Sequence, residues 1–382
     1  MRFHSTTRRS QKIGAAAVVG GALALAACGS ATSTPSSPAA AIHQSAKGLT
    51  SQTGISLRFS LGVTPAQAQQ LAAAGSSPTH LTTQQAQALA TGSIFFDIST
   101  GHNEPLASKQ AATDSANNYD FGLSIGNNSP FEYRIVAQNI YLRILVSQFG
   151  SDIGSTPTSL SKLQSESSVA NAEIPGISAL ASGQWVEVSH SALAPLLGIV
   201  KNLEAASGGG SQSAAANSDQ YRSEYSDLSK DVATALRQNS TYAKVGSSGG
   251  RTEYTLTVQV KPFVTQVAAA VQTDLATLPG GVGKKYSTGL SGVAAKVKTG
   301  QTVVIQVYTE SNRLEEIDVD LEQFASGSQK LSFPVPVRVV IGTDPTISAP
   351  SGATTLNLSK LPALLGGLAG SGSSSSPTVS GN

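Results

Sequence analysis

Residues 119–146 read YDFGLSIGNNSPFEYRIVAQNIYLRILV. Three apolar segments follow one another: Tyr119 to Ile125, Phe131 to Val136 and Ile140 to Val146. Gly126-Asn127-Asn128-Ser129-Pro130 parts the first two, and Gln138-Asn139 parts the last two. Short turns of this composition between runs rich in Phe, Tyr, Ile and Val predict antiparallel hairpins.

The segments on either side extend the pattern. Upstream, Ile55, Leu57, Phe59 and Leu61 alternate with Ser56, Arg58 and Ser60, the period of a half-buried strand. Ile94 to Ile98 (IFFDI) predicts a second strand. Residues 42–49 read as a short helix, and the Gln/Ala-rich stretch 64–90 as peripheral helix. Residues 99–118 are rich in turn formers, and 150–183 form a Ser/Thr-rich insertion or lid. Trp185 to Val188 predicts a short strand. Leu193, Leu196, Leu197, Val200 and Leu203 then fall on one helical face. After a Ser/Gly-rich linker at 207–217, residues 221–237 read as a polar helix.

The second half repeats this grammar. Tyr254, Leu256, Val258 and Val260 alternate on a strand, while Phe263, Val267, Val271 and Leu278 line a helix, with Pro262 suited to its first turn. Residues 303–309 and 314–321 predict two more strands, and 331–341, broken by proline, an edge strand. Many antiparallel strands with a few amphipathic helices between them predict an α+β fold, with helices gathered on one face of the sheet. No period of 20 to 50 residues recurs, which excludes a solenoid.

The amino terminus has a different grammar. Arg2, Arg8, Arg9 and Lys12 form a basic leader, followed by an uncharged run of 15 residues from Ile13 to Ala27. A spanning helix needs about 20 apolar residues, so this run has the order of a secretory signal instead. It ends in Leu25-Ala26-Ala27-Cys28, and Cys28 is the only cysteine of the chain. The tetrad resembles a bacterial lipobox, in which the cysteine is thioether-linked to a diacylglycerol and becomes the first residue after cleavage. The resemblance implies a lipidated Cys28 and an anchor in the outer face of the cell membrane, with two or three acyl chains holding it. Residues 28–40, rich in Ser, Thr, Pro and Ala, read as a tether that spans about 20 Å as a coil. Residues 371–382 read as a disordered Ser/Gly tail.

Composition narrows the function. The leader holds four of the 25 basic side chains and none of the 23 acidic ones, which leaves a near-neutral remainder. There is no basic excess to bind nucleic acid. Charged residues make up 13 %, against roughly 25 % in ordinary soluble domains. With one cysteine, the chain has neither an internal disulfide nor a thiolate zinc site. His43, His80, His102 and His190 are scattered, with no His-Glu-x-x-His motif. The reading assigns no cofactor and no metal, and names no protein partner.

Leu57-Arg58-Phe59-Ser60, Ile140-Tyr141-Leu142-Arg143, Gln184-Trp185-Val186 and the run from Val304 to Glu310, followed by Arg313-Leu314-Glu315-Glu316-Ile317, fall in one order. That order resembles the actinobacterial lipoproteins of the LppX/LprG type, relatives of the LolA lipoprotein carriers, over residues 45–360. The resemblance implies a half-barrel antiparallel sheet wrapped over helices, with an apolar cavity for acyl chains. Residues 41–360 would form the lipid-binding-like domain, with insertions near 62–92, 150–183 and 204–240.

Candidate lipid-facing residues on the strands are Leu57, Phe59, Phe131, Tyr133, Leu142, Ile144, Tyr254, Leu256 and Val258. On the helices they are Leu193, Leu197, Val267 and Val271. The same residues suit a filled core, so a structural or protein-binding envelope lipoprotein is the alternative. A third reading uses Ser159-Leu160-Ser161-Lys162, Ser218-Asp219-Gln220 and Lys298-Thr299-Gly300, which stand in the order of the acyl-serine enzymes that bind penicillin. Ser159 lies in a Ser/Thr-rich stretch rather than at the head of a buried helix, so the sequence reads as that of a non-enzymatic protein.

Overall fold

A computed structural model describes residues 37–74, 80–106, 108, 116–154, 161–162, 164–167, 171, 174–192, 218–276, 282–324 and 331–358. Its centre is one unclosed, curved sheet of 12 strands. In chain order these are β1 (Gly54–Leu61), β2 (Gly92–Ser99), β3 (Asn118–Ile125), β4 (Asn128–Val136), β5 (Asn139–Ile144) and β6 (Val186–Val188). They are followed by β7 (Ser240–Ser248), β8 (Arg251–Gln259), β9 (Thr302–Glu310), β10 (Arg313–Asp320), β11 (Pro336–Thr343) and β12 (Thr354–Thr355). The spatial order is β12-β6-β5-β4-β3-β2-β1-β11-β10-β9-β8-β7. Every pairing is antiparallel except that of β12 with β6. The predicted α+β class, a half-barrel sheet packed on helices, is the observed one.

The predicted hairpin stretch forms β3, β4 and β5, with two corrections. The first turn is only Gly126-Asn127, Gly126 taking φ +58°, and β4 begins at Asn128. Val146 opens a helix instead of closing β5. A third correction concerns the prolines near 334. The strand there, β11, is central, lying between β1 and β10, and the sheet's edges are β7 and β12. Pro336 is the first residue of β11, where a missing N–H breaks no interior ladder.

Register puts apolar residues in one row across the sheet. Phe59 is opposite Ile94, Ile94 opposite Leu123, Leu123 opposite Phe131, and Phe131 opposite Ile144. In the other direction Phe59 is opposite Val339, followed by Ile317, Val307 and Tyr254. The face that carries this row is termed the front.

Four helices cover the front of the carboxy-terminal half: α1 (Pro38–Thr50), α6 (Ser218–Gln238), α7 (Val260–Asp274) and α8 (Val282–Lys296). Helix α1 starts at Ser37, whose hydroxyl accepts from the Ala40 N–H, with Pro38 in its first turn. It buries Ile42, Ala46 and Leu49. Helix α7 buries Phe263, Val264, Val267 and Val271 against Leu256, Ile305 and Ile317 of the strands. Gly283 lets α8 approach α7, because a Cβ there would stand 2.6 Å from the Leu275 carbonyl oxygen. The end of the region read as an insertion near 204–240 is part of this core, through Ala235 and Leu236 of α6.

Smaller helices dress the other half. Helices α2 (Pro65–Ala73) and α3 (Thr83–Thr91) occupy the stretch read as helical and peripheral. Both begin with a capping box, Thr64 with Gln67 and Thr82 with Gln85. Ala68 and Ala86 bury their methyls against Val63 and Val335. Helix α4 (Val146–Ile153) follows β5 and stops at Gly154, which takes φ +71°. Helix α5 (Ile177–Ala181) closes a cluster of Leu180, Val186, Val188 and Leu356 over β5 and β6.

Candidate functional site

The front of the sheet is filled on one side and open on the other. Over β8 to β10, Leu256, Val303, Ile305, Ile317 and Val319 are at most 1 % exposed. Over β2 and β3, on the same face, Ile94 is 47 % and Phe121 40 % exposed. Between these regimes lies an open groove of about 520 Å³. Its floor is Phe59, Leu61, Ile94, Leu123, Ile125 and Val337 from the strands; its walls are Leu81, Ala88 and Leu89 at α3, and Phe149 and Ile153 of α4. Ser60, Gln85 and Ser93 are the polar side chains at its lining. The groove falls within the 300–1,000 Å³ range of ligand sites, which pair a mostly apolar wall with few polar groups. Among these described lining residues there is no carboxylate, histidine, lysine or cysteine. The chemistry available to the groove is the transfer of apolar surface out of water.

Burial changes sides at this boundary. On the reverse of the open half, Phe95, Asp120, Glu132 and Tyr141 are each 5–7 % exposed. On the reverse of the helix-covered half, Val304 and Val340 are each 39 % exposed. The buried reverse patch is ionic. Arg134 Nε lies 3.0 Å from Asp120 and its guanidinium also pairs with Glu132. Arg143 reaches the other Glu132 oxygen at 2.7 Å. Both guanidiniums lie against the Trp185 ring, 4.9 and 4.7 Å from its centroid. Arg134 Nη1 donates to the Ser348 carbonyl at 3.1 Å, which ties the segment after β11 across this face. Burial pushes the Asp120 carboxyl up to about 7; Arg134 opposes the shift, and Glu132 and Asp97 add to it.

The candidates named from sequence are distributed unevenly. Phe59 lines the groove. Phe131 and Tyr133 are half-buried on the same face of β4, and the Phe131 ring stands edge-on to Phe121 at 6.1 Å. Leu142 and Ile144 pack on the cluster beneath α5. Leu57, Tyr254, Leu256, Val258, Val267 and Val271 are in the filled core, at 0–8 % exposure. Cys28, Leu193 and Leu197 lie outside the described residues. Sequence reasoning missed Leu81, Leu89, Phe149 and Ile153. The available signal was the three-residue spacing of Val146 and Phe149 followed by Ile153, which puts them on one side of a helix.

Among the described residues, no group of three or more His, Cys, Asp or Glu side chains is placed to hold a metal ion. Among them too, no helix is long and apolar enough to cross a membrane. Of the acyl-serine motif, Ser159 lies outside the described residues, while Lys162 is exposed and 3.8 Å from Glu166. No family model matches this chain, and no curated protein matches it.

Proposed function

We propose that the protein is an exported lipoprotein, anchored through acylated Cys28 to the outer face of the cell membrane, that binds acyl chains of an envelope lipid along the open front of its sheet. The observation that carries this reading is the groove: strand residues continuous with a tightly packed core, Phe59, Ile94 and Leu123 among them, line an open cleft beside α3 and α4, and Ile94 is 47 % exposed. A contiguous apolar floor on a protein surface marks a binding site more often than a packing defect. Each CH₂ moved from water onto it contributes about 0.8 kcal/mol. The lipobox and the family resemblance of the sequence point the same way. The mechanism is sequestration by apolar contact, with no covalent step.

The test is mass spectrometry of organic extracts from the chain produced with its leader in a bacterial host and purified from the envelope. Lipid recovered in proportion to protein, and reduced when Leu123→Trp fills the groove floor, is the expected result. Equal trace lipid in both proteins would move the assignment to a protein-binding envelope lipoprotein.

A further inference from the structure

We infer that the outer surface of α8 is a docking surface for an anionic lipid bilayer, and that it turns the helix-covered side of the sheet toward the membrane. The inference rests on the proposed anchoring through Cys28 and adds an orientation to it.

Helix α8 packs on α7 through Gly283, Ser287 and Ala294, with Leu290 and Val293 half-buried against the main core. Lys285 projects from the opposite side, with Lys284 and Tyr286 on its two flanks; all three are exposed, Tyr286 at 60 %. Gly289 and Gly292 are open around their Cα atoms. From Leu275 to Gln301 the sequence has four lysines and no acidic residue, in a chain whose total charge is close to balanced. Lys284 and Lys285 sit in the opening turns of α8, where the helix dipole disfavours cations. Fold stability therefore gives no reason for lysine there, whereas an anionic partner outside the molecule does. An exposed tyrosine beside basic residues suits the interface of a bilayer, which solvates a ring and a hydroxyl at one depth.

The chain's own connectivity selects a bilayer over other polyanions. Helix α1 belongs to the same helical layer as α8, and the chain enters α1 at Ser37. Ser37 follows Cys28 by nine positions, so an anchored Cys28 keeps Ser37 within about 32 Å of the lipid. The anchor therefore keeps the helical layer that contains α8 within the tether's reach of a bilayer.

The experiment places a reporter at the docking surface. The full chain carrying Tyr286→Trp is mixed with vesicles of brominated phospholipid, either wholly zwitterionic or containing a substantial anionic fraction. Quenching is read against the parent chain, whose signal comes from Trp185 alone. We expect the indole introduced at position 286 to be quenched on anionic vesicles and not on neutral ones. High salt should abolish the effect, as should Lys284→Gln combined with Lys285→Gln. Retention of the chain on both vesicles with equal quenching, or with none, would overturn α8 docking and leave the acyl anchor standing. The same measurement on the Cys28→Ala chain separates the two readings. Charge-dependent quenching there supports α8 docking without an anchor; its loss there, with charge-dependent quenching kept in the acylated chain, supports α8 docking held by the anchor, and absence of charge-dependent quenching in both chains overturns it.

Discussion

Strands β2 to β4 and strands β8 to β10 carry the same alternation on the same face of one sheet, yet Leu256 is fully buried and Phe121 is 40 % exposed. The difference lies in what stands over them. Three long helices, α6, α7 and α8, and the amino-terminal α1 cover β8 to β10. Over β2 and β3 the described cover is α3 and α4 at one end of the strands, with a groove between helix and sheet. A strand's pattern specifies which side is apolar, and only its partner decides whether that side becomes core or surface. The reverse face shows the complement, with Phe95 buried behind the open half and Val304 exposed behind the covered one.

The largest effect expected from this comparison is on stability. Leu256→Ala removes a side chain with no exposed area from the packed half, which should cost about 2–5 kcal/mol. Phe121→Ala removes a larger side chain that is already 40 % exposed, and should cost well under that despite its size. Urea unfolding of both variants checks the order. If Phe121→Ala were the more damaging, the open front would be structural core.

Enlarging side chains probes the same contrast more gently. Val267 on α7 is 8 % exposed inside the filled core, so Val267→Trp should overpack it and cost about 1–3 kcal/mol. Ile94→Trp places the same ring where 47 % of the residue already meets solvent, and should leave the melting temperature within a degree or two of wild type. Under the proposed function it should also lower lipid recovery. A similar loss of stability in both variants would erase the distinction between the halves.

How much of this was legible beforehand follows from the same physics. Period-two alternation revealed β1, β8 and β10, because each has one face against apolar matter, while β3, β4 and β5 were legible as apolar runs parted by short turns. Strand β7 (STYAKVGSS) sets only Tyr242 against the core; it is the exposed edge, and its sequence gives no apolar alternation to read. Helix α8 was missed for its glycines, which weaken helix propensity, although Gly283 is what permits its close packing on α7. Tyr254, Leu256 and Val258 could not be told from groove residues, since an apolar side chain looks the same whether it meets a helix or a gap. Phe59 was named for its alternation alone, and it lies where covered and open regions meet. Gly122 shows a constraint invisible to pattern: a Cβ there would stand 2.5 Å from the Phe95 ring, so the reverse-face ring is buried over a glycine.

The smallest expected effect concerns that reverse face, where the two halves also differ in their ionic groups. Behind the covered half, Arg251 and Arg338 are 41 % and 42 % exposed and pair with Glu316 at 16 % exposure, and Arg338 also pairs with the buried Asp318, so its arginines are more exposed than Arg134 and Arg143 at 23 % and 27 %. Behind the open half, Asp120 is buried beside Arg134, and its carboxyl is pushed up to about 7. A carboxyl raised in the folded state binds its proton more tightly there than in the unfolded chain. Its contribution to stability is therefore fully present below about pH 4 and is lost as pH rises through about 7. Asp120→Asn fixes the neutral form while keeping the shape. The variant should gain melting temperature relative to wild type on going from pH 5 to pH 8. Arg134 opposes the gain, because the amide gives up a 3.0 Å ion pair that matters most when Asp120 is ionised. The pH trend of the difference between variant and wild type, rather than its value at one pH, is thus the quantity to measure. A relative loss for Asp120→Asn at pH 8 would mean that the Arg134 pair outweighs burial, and that the covered reverse face is held by an ionised cluster.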